Sequence, residues 1–236
     1  MTSVLLTRGA AENESLKLEL AGKDFDFIDC PLIEYEDAEI VFDEICKYSN
    51  IIITSKHAAK ILAKHRESFE NHTRFFVVGE LSAEILRSSG LDIACVGVDV
   101  DDLIVQIPEN LQKDAIYLSS NEITQELPKL IKRHVIYKVK YKSVLNSKEI
   151  ELLNNKVDYI LLYSQNSAKT LMKLLEAENL IKTLQNTTIL AISTKVAKEV
   201  LPYFKKIIYC EKGEHKKMIE LLLSHAAKSG KFKEAD

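Results

Sequence analysis

An apolar run that closes on hydroxyl residues and leads into a helix-like segment occurs twice in this chain. That duplication constrains the fold more than any single motif. Ile51-Ile52-Ile53-Thr54-Ser55 precedes His57-Ala58-Ala59-Lys60-Ile61-Leu62. Far downstream, Ile160-Leu161-Leu162-Tyr163-Ser164 precedes Asn166-Ser167-Ala168-Lys169-Thr170-Leu171. A further block follows each copy: Val77-Val78-Gly79-Glu80-Leu81-Ser82-Ala83-Glu84-Ile85-Leu86 and Ala191-Ile192-Ser193-Thr194-Lys195-Val196-Ala197-Lys198-Glu199-Val200. Val4-Leu5-Leu6-Thr7-Arg8 has its echo in Ile116-Tyr117-Leu118-Ser119-Ser120. Two copies are too few for a solenoid. They predict two similar α/β domains with a ligand cleft between them, and 236 residues suffice for two small domains.

Short runs of β-branched and aliphatic residues alternate with longer stretches of helical period. The runs 3–7, 27–33, 50–54, 74–78, 93–96, 115–119, 135–142, 158–163, 188–192 and 206–210 read as strands. Glu14–Leu20, Ala58–His65, Ser82–Ser88, Gln125–Lys132, Ser167–Leu174 and Lys195–Leu201 read as helices, with apolar residues three and four apart. Continuous apolar strands separated by helices predict parallel sheets covered on both faces. Gly90 and Gly22 read as helix stops. Around Pro31–Tyr35 and Val135–Tyr141 polar and apolar residues alternate, which suits a thin antiparallel connector better than a central strand. The charged tail after Leu223 is expected to fray.

Composition removes several function classes. A net charge of −3 gives no basic excess for nucleic acid. The amino terminus has no apolar signal core, and no apolar stretch reaches membrane-spanning length, so neither membrane nor secretion is expected. Cys30, Cys46, Cys95 and Cys210 lie dispersed in or beside apolar segments and read as reduced and buried, hence cytoplasmic. The 7 glycines form no dinucleotide or P-loop motif. The 6 histidines make no metal spacing with cysteine. No serine sits in a nucleophile elbow. No metal and no cofactor is expected. His57 follows Thr54-Ser55 at a strand end, but no orienting carboxylate is evident in the sequence, so it reads as a solvated surface histidine.

What remains is polar residues at strand carboxyl ends: Thr7-Arg8, Thr54-Ser55, Ser119-Ser120, Ser164 and Ser193-Thr194. In open parallel sheets that edge binds ligands, and each following helix points unpaired N–H groups at it. Any one of these hydroxyls could simply cap its helix. Their recurrence at corresponding places favours a polyanionic ligand held by backbone and hydroxyl groups.

The blocks resemble uroporphyrinogen-III synthase in order and spacing. That family opens with V-L-[VL]-T-R, matched by Val4–Arg8, and continues with [FI]-T-S-x-x-[AG]-[AV], matched by Ile53–Ala59. V-G-x-x-[ST]-A-x-x-L followed by Gly is matched by Val77–Gly90, the strand tyrosine by Tyr141, and the weaker repeats by Tyr163–Ala168 and Ile192–Val200. The resemblance implies an α/β fold of two similar parallel-sheet domains joined by a two-stranded antiparallel linker. Residues 1–34 plus 142–236 would form one domain and 35–141 the other. It also implies a swap in which the amino-terminal strand and helix join the carboxyl-terminal repeat, while Ile116–Arg133 completes the middle domain.

The implied activity is that of a cyclising hydro-lyase. Linear hydroxymethylbilane, a tetrapyrrole polycarboxylate, closes to uroporphyrinogen III with loss of water and inversion of ring D, without cofactor, as part of haem biosynthesis. The family is held to work through an azafulvene cation and a spiro-pyrrolenine. Tyr141 best matches the tyrosine that would assist hydroxyl departure, and Tyr137 on the same strand is the competing choice. Substrate contacts are implied for Thr7, Arg8, Thr54, Ser55, Gly79, Ser82, Ser119, Ser164, Ser167, Ser193, Thr194 and Lys195. The chain departs from the pattern at Ile192–Ala197, where a glycine and paired threonines are usual, so Ser193, Thr194 or the Lys195 ammonium takes their place. The enzyme would be a cytoplasmic monomer. A non-catalytic two-domain small-molecule binding module and a regulatory protein on the same fold are the competing readings.

Overall fold

A computed structural model describes residues 1–211 and 213–228. In chain order the elements open with β1 (Thr2–Leu6), α1 (Ala10–Glu19), β2 (Phe25–Asp29), β3 (Ile33–Asp37), α2 (Phe42–Ile45), β4 (Asn50–Ile53), α3 (Lys56–Lys64), β5 (Arg74–Val78) and α4 (Glu80–Ser88). They continue with β6 (Ile93–Gly97), α5 (Val100–Gln106), α6 (Glu109–Gln112), β7 (Ala115–Ser120), β8 (Lys132–Tyr141) and α7 (Ser147–Asn154). The last are β9 (Tyr159–Leu162), α8 (Gln165–Ala177), β10 (Thr188–Ala191), α9 (Thr194–Val200), β11 (Ile207–Tyr209) and α10 (His215–Lys228). The chain divides into two compact units, Met1–Glu34 with Lys140–Asp236, and Tyr35–Val139.

The first unit carries a five-stranded sheet, β11-β10-β9-β1-β2, in which each neighbouring pair runs parallel. Alternation along the strands sorts the side chains onto two buried faces. Leu5, Ile160, Leu162 and Ile189 pack with Ala168, Leu171 and Leu175 of α8 and with Val200 of α9. Val4, Leu6, Leu161 and Leu190 meet Leu16 of α1 and Met218 and Leu222 of α10. Helix α8 buries Ala168, Leu171, Met172 and Leu175, the three- and four-residue spacing of a single helix face.

The second unit carries the sheet β3-β8-β7-β4-β5-β6. From β8 to β6 the pairings are parallel. Ile51, Ile53, Phe75, Val77, Ile116 and Leu118 cover α3 and α4, while Ile52, Phe76 and Tyr117 face Leu103 and Ile107 across the other side. Ile51, Ile52 and Ile53 are fully buried, each stabilising the fold by roughly 1.5–3 kcal/mol. Beside β8, Ala38 N–H donates to Ile136 O and Lys142 N–H to Leu32 O. The numbers rise on one strand as they fall on the other, so β3 and β8 run antiparallel.

Several expectations are corrected. The proposed helix Gln125–Lys132 does not form, and Lys132 already begins β8. Pro128 lies mid-segment, removing an N–H and forcing Leu127 out of helical backbone. The four-residue spacing of Ile123, Leu127 and Ile131 arises because all three pack under the sheet from an irregular segment. The single strand 27–33 is two strands in different sheets, parted at Cys30-Pro31. Strand β8 is not only a connector: through Tyr137 it pairs in parallel with β7 and lies inside its sheet. Cys46 is exposed and Cys95 half-buried, although all four thiols are free. Burial, reinforced by Glu149, pushes the Cys30 thiol up to about 12, which makes it inert. Helix α10 runs through Lys228, where fraying was expected, because Met218, Ile219, Leu222 and Ala226 are buried along it. The remaining tail, 229–236, lies outside the described residues.

Candidate functional site

Each implied contact residue except Ser119 sits where a strand hands over to a helix; Ser119 closes β7, which runs through an irregular segment into β8. In the second unit the turns after β4 and β5 carry Thr54-Ser55 and Gly79–Ser82, and β7 ends in Ser119-Ser120. Gly79 has φ +84 and donates its N–H to Gly97 O at 2.9 Å. That left-handed conformation, and not crowding, calls for glycine, since a Cβ there would meet nothing within 4 Å. A pocket of about 370 Å³ opens between the starts of α3 and α4, lined by Thr54, Lys56, Val78, Gly79, Glu80 and Ser82. A second of about 170 Å³ adjoins it at Thr54 and is lined by Ser55, Tyr117, Ser119, Ser120 and Tyr137. The fold therefore brings Thr54, Ser55, Gly79, Ser82 and Ser119 to one edge of one sheet.

Two tyrosines hold this edge: Tyr117, which the sequence reading did not single out, and Tyr137, its competing choice for the catalytic phenol. Thr54 Oγ1 lies 2.8 Å from Tyr117 Oη, and Tyr137 Oη donates to Ser55 Oγ at 2.9 Å. Burial raises the Tyr117 phenol above its ordinary pKa, with the Thr54 hydrogen bond opposing. The signal for Tyr117 was available: it is two residues before Ser119 and so shares its face of β7. Arg133 Nε donates to Ser119 Oγ at 2.8 Å and Nη2 to Ser120 O at 2.7 Å, which pins the end of β7.

His57 corrects the reading given above. Its Nε2 is 2.7 Å from Asp37 Oδ1, so an orienting carboxylate is present, supplied by a strand twenty positions earlier. Tyr35 stacks on the imidazole at 4.5 Å between centroids, and Tyr137 lies 4.6 Å away on a tilted plane. Tyr35 and Asp37 alternate onto one face of β3, which the sequence pattern carried; their partner is a tertiary fact.

In the first unit the adjacent strands β1, β9 and β10 end in Thr7-Arg8, Ser164 and Ser193. Thr7 is buried and its hydroxyl donates to Leu161 O at 2.6 Å. Arg8 lies over the Tyr163 ring, 4.7 Å from its centroid. Among the described residues the buried Tyr163 hydroxyl has no hydrogen-bond partner, and burial pushes its pKa to about 12 against the pull of Arg8. Ser167 is buried in the first turn of α8, whereas Thr194 and Lys195 are exposed at the start of α9. Tyr141 is half-buried, and its hydroxyl oxygen accepts from Asn166 Nδ2 at 2.9 Å.

The hydroxyls at three of these turns are occupied by capping. Ser55, Ser164 and Ser193 accept from the N–H groups of Ala58, Ser167 and Val196 at 3.1, 3.0 and 3.4 Å. Capping uses one N–H per helix and leaves the others of the first turn pointing out of the strand edge. The arrangement thus offers backbone donors and helix-dipole charge to carboxylates more than it offers reactive side chains. Among the described residues no three His, Cys, Asp or Glu side chains cluster as metal ligands, and no helix is long and apolar enough to cross a membrane.

Residues 14–220 match the family model described as uroporphyrinogen-III synthase HemD. A curated relative, an uncharacterized protein of Rickettsia prowazekii (strain Madrid E), is 36% identical over 274 residues, covering 96% of this chain and 99% of that protein. Among solved structures, the uroporphyrinogen-III synthetase of Helicobacter pylori 26695 superposes with a TM-score of 0.64 at 18% identity, over 95% of this chain and 100% of that one. A mutant uroporphyrinogen III synthase of the extremely thermophilic bacterium Thermus thermophilus gives 0.59 at 16% identity, over 97% and 100%. At such identities the likeness concerns the fold.

Proposed function

The chain belongs to the uroporphyrinogen-III synthase family, and from that premise we propose that it closes hydroxymethylbilane to uroporphyrinogen III in haem biosynthesis. In this reading it is a cofactor-free, cyclising hydro-lyase and a cytoplasmic monomer. The observation that carries the reading is the family match across residues 14–220. The strand edges described above support it chemically, because a flexible polycarboxylate suits helix amino termini better than a site built on reactive side chains.

We read the two units as diverged copies of one design, and the antiparallel pair β3 and β8 as the linker. β4-α3-β5-α4 in one unit and β9-α8-β10-α9 in the other repeat strand, helix, strand, helix, with Ser55 and Gly79 capping one set and Ser164 and Ser193 the other. Substrate carboxylates are assigned to the helix starts at Thr54, Ser55, Gly79 and Ser82, to the end of β7 at Ser119, and to the helix starts at Thr7, Arg8, Ser164, Ser167, Ser193, Thr194 and Lys195.

Chemistry asks little of such a protein beyond geometry. The activated pyrrole loses its hydroxyl readily, and unassisted closure gives the non-inverted isomer I. The protein must hold the chain so that attack comes from the substituted carbon of ring D, forming the spiro intermediate that inverts it. One donor must help the hydroxyl leave as water, and Tyr141 is assigned that role. The Asn166 amide on its oxygen polarises the phenol and strengthens it as a donor. Tyr137, the competing choice, donates its proton to Ser55. Incubating the purified chain with hydroxymethylbilane, without metal or nucleotide, should yield isomer III. Isomer I alone, as in the enzyme-free control, would refute the assignment in favour of a binding or regulatory role.

A further inference from the structure

Next to the smaller pocket stands a histidine with a fixed carboxylate that the chemistry above leaves unused. A carboxylate only accepts, so the 2.7 Å contact with Asp37 places a proton on Nε2, and in the neutral ring the lone pair is then on Nδ1. Among the described residues, no second side-chain hydrogen bond engages the ring. Tyr35 stacks on it at an interplanar angle of 23°, Tyr137 flanks it at 59°, and the two tyrosines meet edge-on at 5.8 Å, which fixes the ring's orientation. Tyr137 also lines the 170 Å³ pocket, so a single tyrosine ring separates the imidazole from it, and His57 keeps 24% of its side chain exposed. A locked ring with one open basic nitrogen at the binding edge of a sheet meets the geometric requirements for a proton acceptor.

We propose that His57, oriented by Asp37, accepts the proton released when the ring closes. The proposal rests on the synthase reading. Departure of the hydroxyl as water consumes one proton, which Tyr141 supplies and recovers from solvent. The ring carbon that forms the final bond still bears its hydrogen, and the pyrrole regains aromaticity by losing it. The C–H electron pair returns to the ring, the proton passes to Nδ1, and the imidazolium gives it to water. The sum is loss of one water, with no oxidant or reductant.

The test measures isomer III formation by the full-length wild type, His57→Ala and His57→Gln, each with and without added imidazole. His57→Ala should lose about a hundredfold in kcat, with KM little changed. Imidazole, entering the space left between Tyr35 and Tyr137, should restore activity in proportion to its concentration without stimulating wild type. His57→Gln keeps the bulk and the bond to Asp37 but has no basic nitrogen. It should show the same loss at an unchanged Tm, and it decides the matter if the alanine variant fails to fold. A glutamine variant within twofold of wild type, or a folded alanine variant that imidazole does not rescue, would overturn the proton-acceptor role while leaving the synthase reading intact. A wild-type chain that forms no isomer III would overturn both.

Discussion

Replacing Tyr141 by phenylalanine should slow turnover about a hundredfold while leaving fold and product unchanged. General-acid assistance contributes about 10²–10⁴-fold, and a readily departing hydroxyl needs the low end, so ~2.7 kcal/mol of barrier is at stake. The cost to stability should be small. The residue is half-buried, and the hydrogen bond from the exposed Asn166 is one that water can satisfy, so its loss alone costs about 0.5 kcal/mol. The assay follows consumption of hydroxymethylbilane, subtracts the enzyme-free rate, and separates isomers I and III; a thermal melt runs alongside. Residual product should remain isomer III, because the shape of the site and not the phenol selects the attacking carbon. Asn166→Ala should cost a smaller factor, about three- to tenfold. Adding it to Tyr141→Phe should then slow the enzyme little further, since Asn166 acts through the phenol. Turnover by Tyr141→Phe within twofold of wild type would refute the donor role. Fully multiplicative losses would refute the coupling.

Tyr137→Phe should instead cost about 1 kcal/mol of stability by stripping Ser55 Oγ of a buried donor, with turnover near wild type, as denaturant melts and the same assay would report. Gly97→Ala should lower Tm clearly, because a Cβ there would lie 2.7–2.8 Å from Leu103 Cβ, Cα and N, and overpacking typically costs about 1–3 kcal/mol; an unchanged melt would contradict the packing of β6 on α5. Burial raises the Tyr163 phenol from 10.0 to about 12, so its neutral form stabilises the fold fully below pH 10 and progressively less as pH rises toward 12. Tyr163→Phe, which also removes a buried hydroxyl that has no partner among the described residues, should match or exceed wild-type stability at pH 8. It should gain on the order of 1 kcal/mol more by pH 11 in urea titrations.

The parallel sheets were legible in the sequence because buried strands have to be apolar on both faces. Ile51–Ile53 and Ile160–Leu162 admit no other use at that density. Caps were legible for the same local reason, and Asn146 with Glu149, a reciprocal capping box at α7, carried a signal that could have found that helix. What failed is what local pattern cannot carry. The period of Ile123, Leu127 and Ile131 imitates a helix because three residues of an irregular segment lie under one sheet. The strand at Pro31 divides because its halves belong to different sheets. Asp37 reaches His57 only once β3 has been laid beside β8. The hydroxyl positions at strand ends were legible as positions, but their allocation to Ala58, Ser167, Val196 or Leu161 follows from the folded backbone.

The place of β1 has a consequence for how the molecule is made. Val4 pairs with Tyr159 on one side and Phe27 on the other, so β1 is interior to its sheet, and its β9 neighbour is translated much later. Residues 35–139 form a continuous stretch that can bury its own core as it leaves the ribosome. Throughout that interval β1 carries one unpaired edge and the apolar side chains Val4, Leu5 and Leu6 with most of their cover missing. Its vulnerability to misassociation is therefore greatest in the nascent chain and ends only when β9 emerges to pair with its open edge and the later helices to cover its faces.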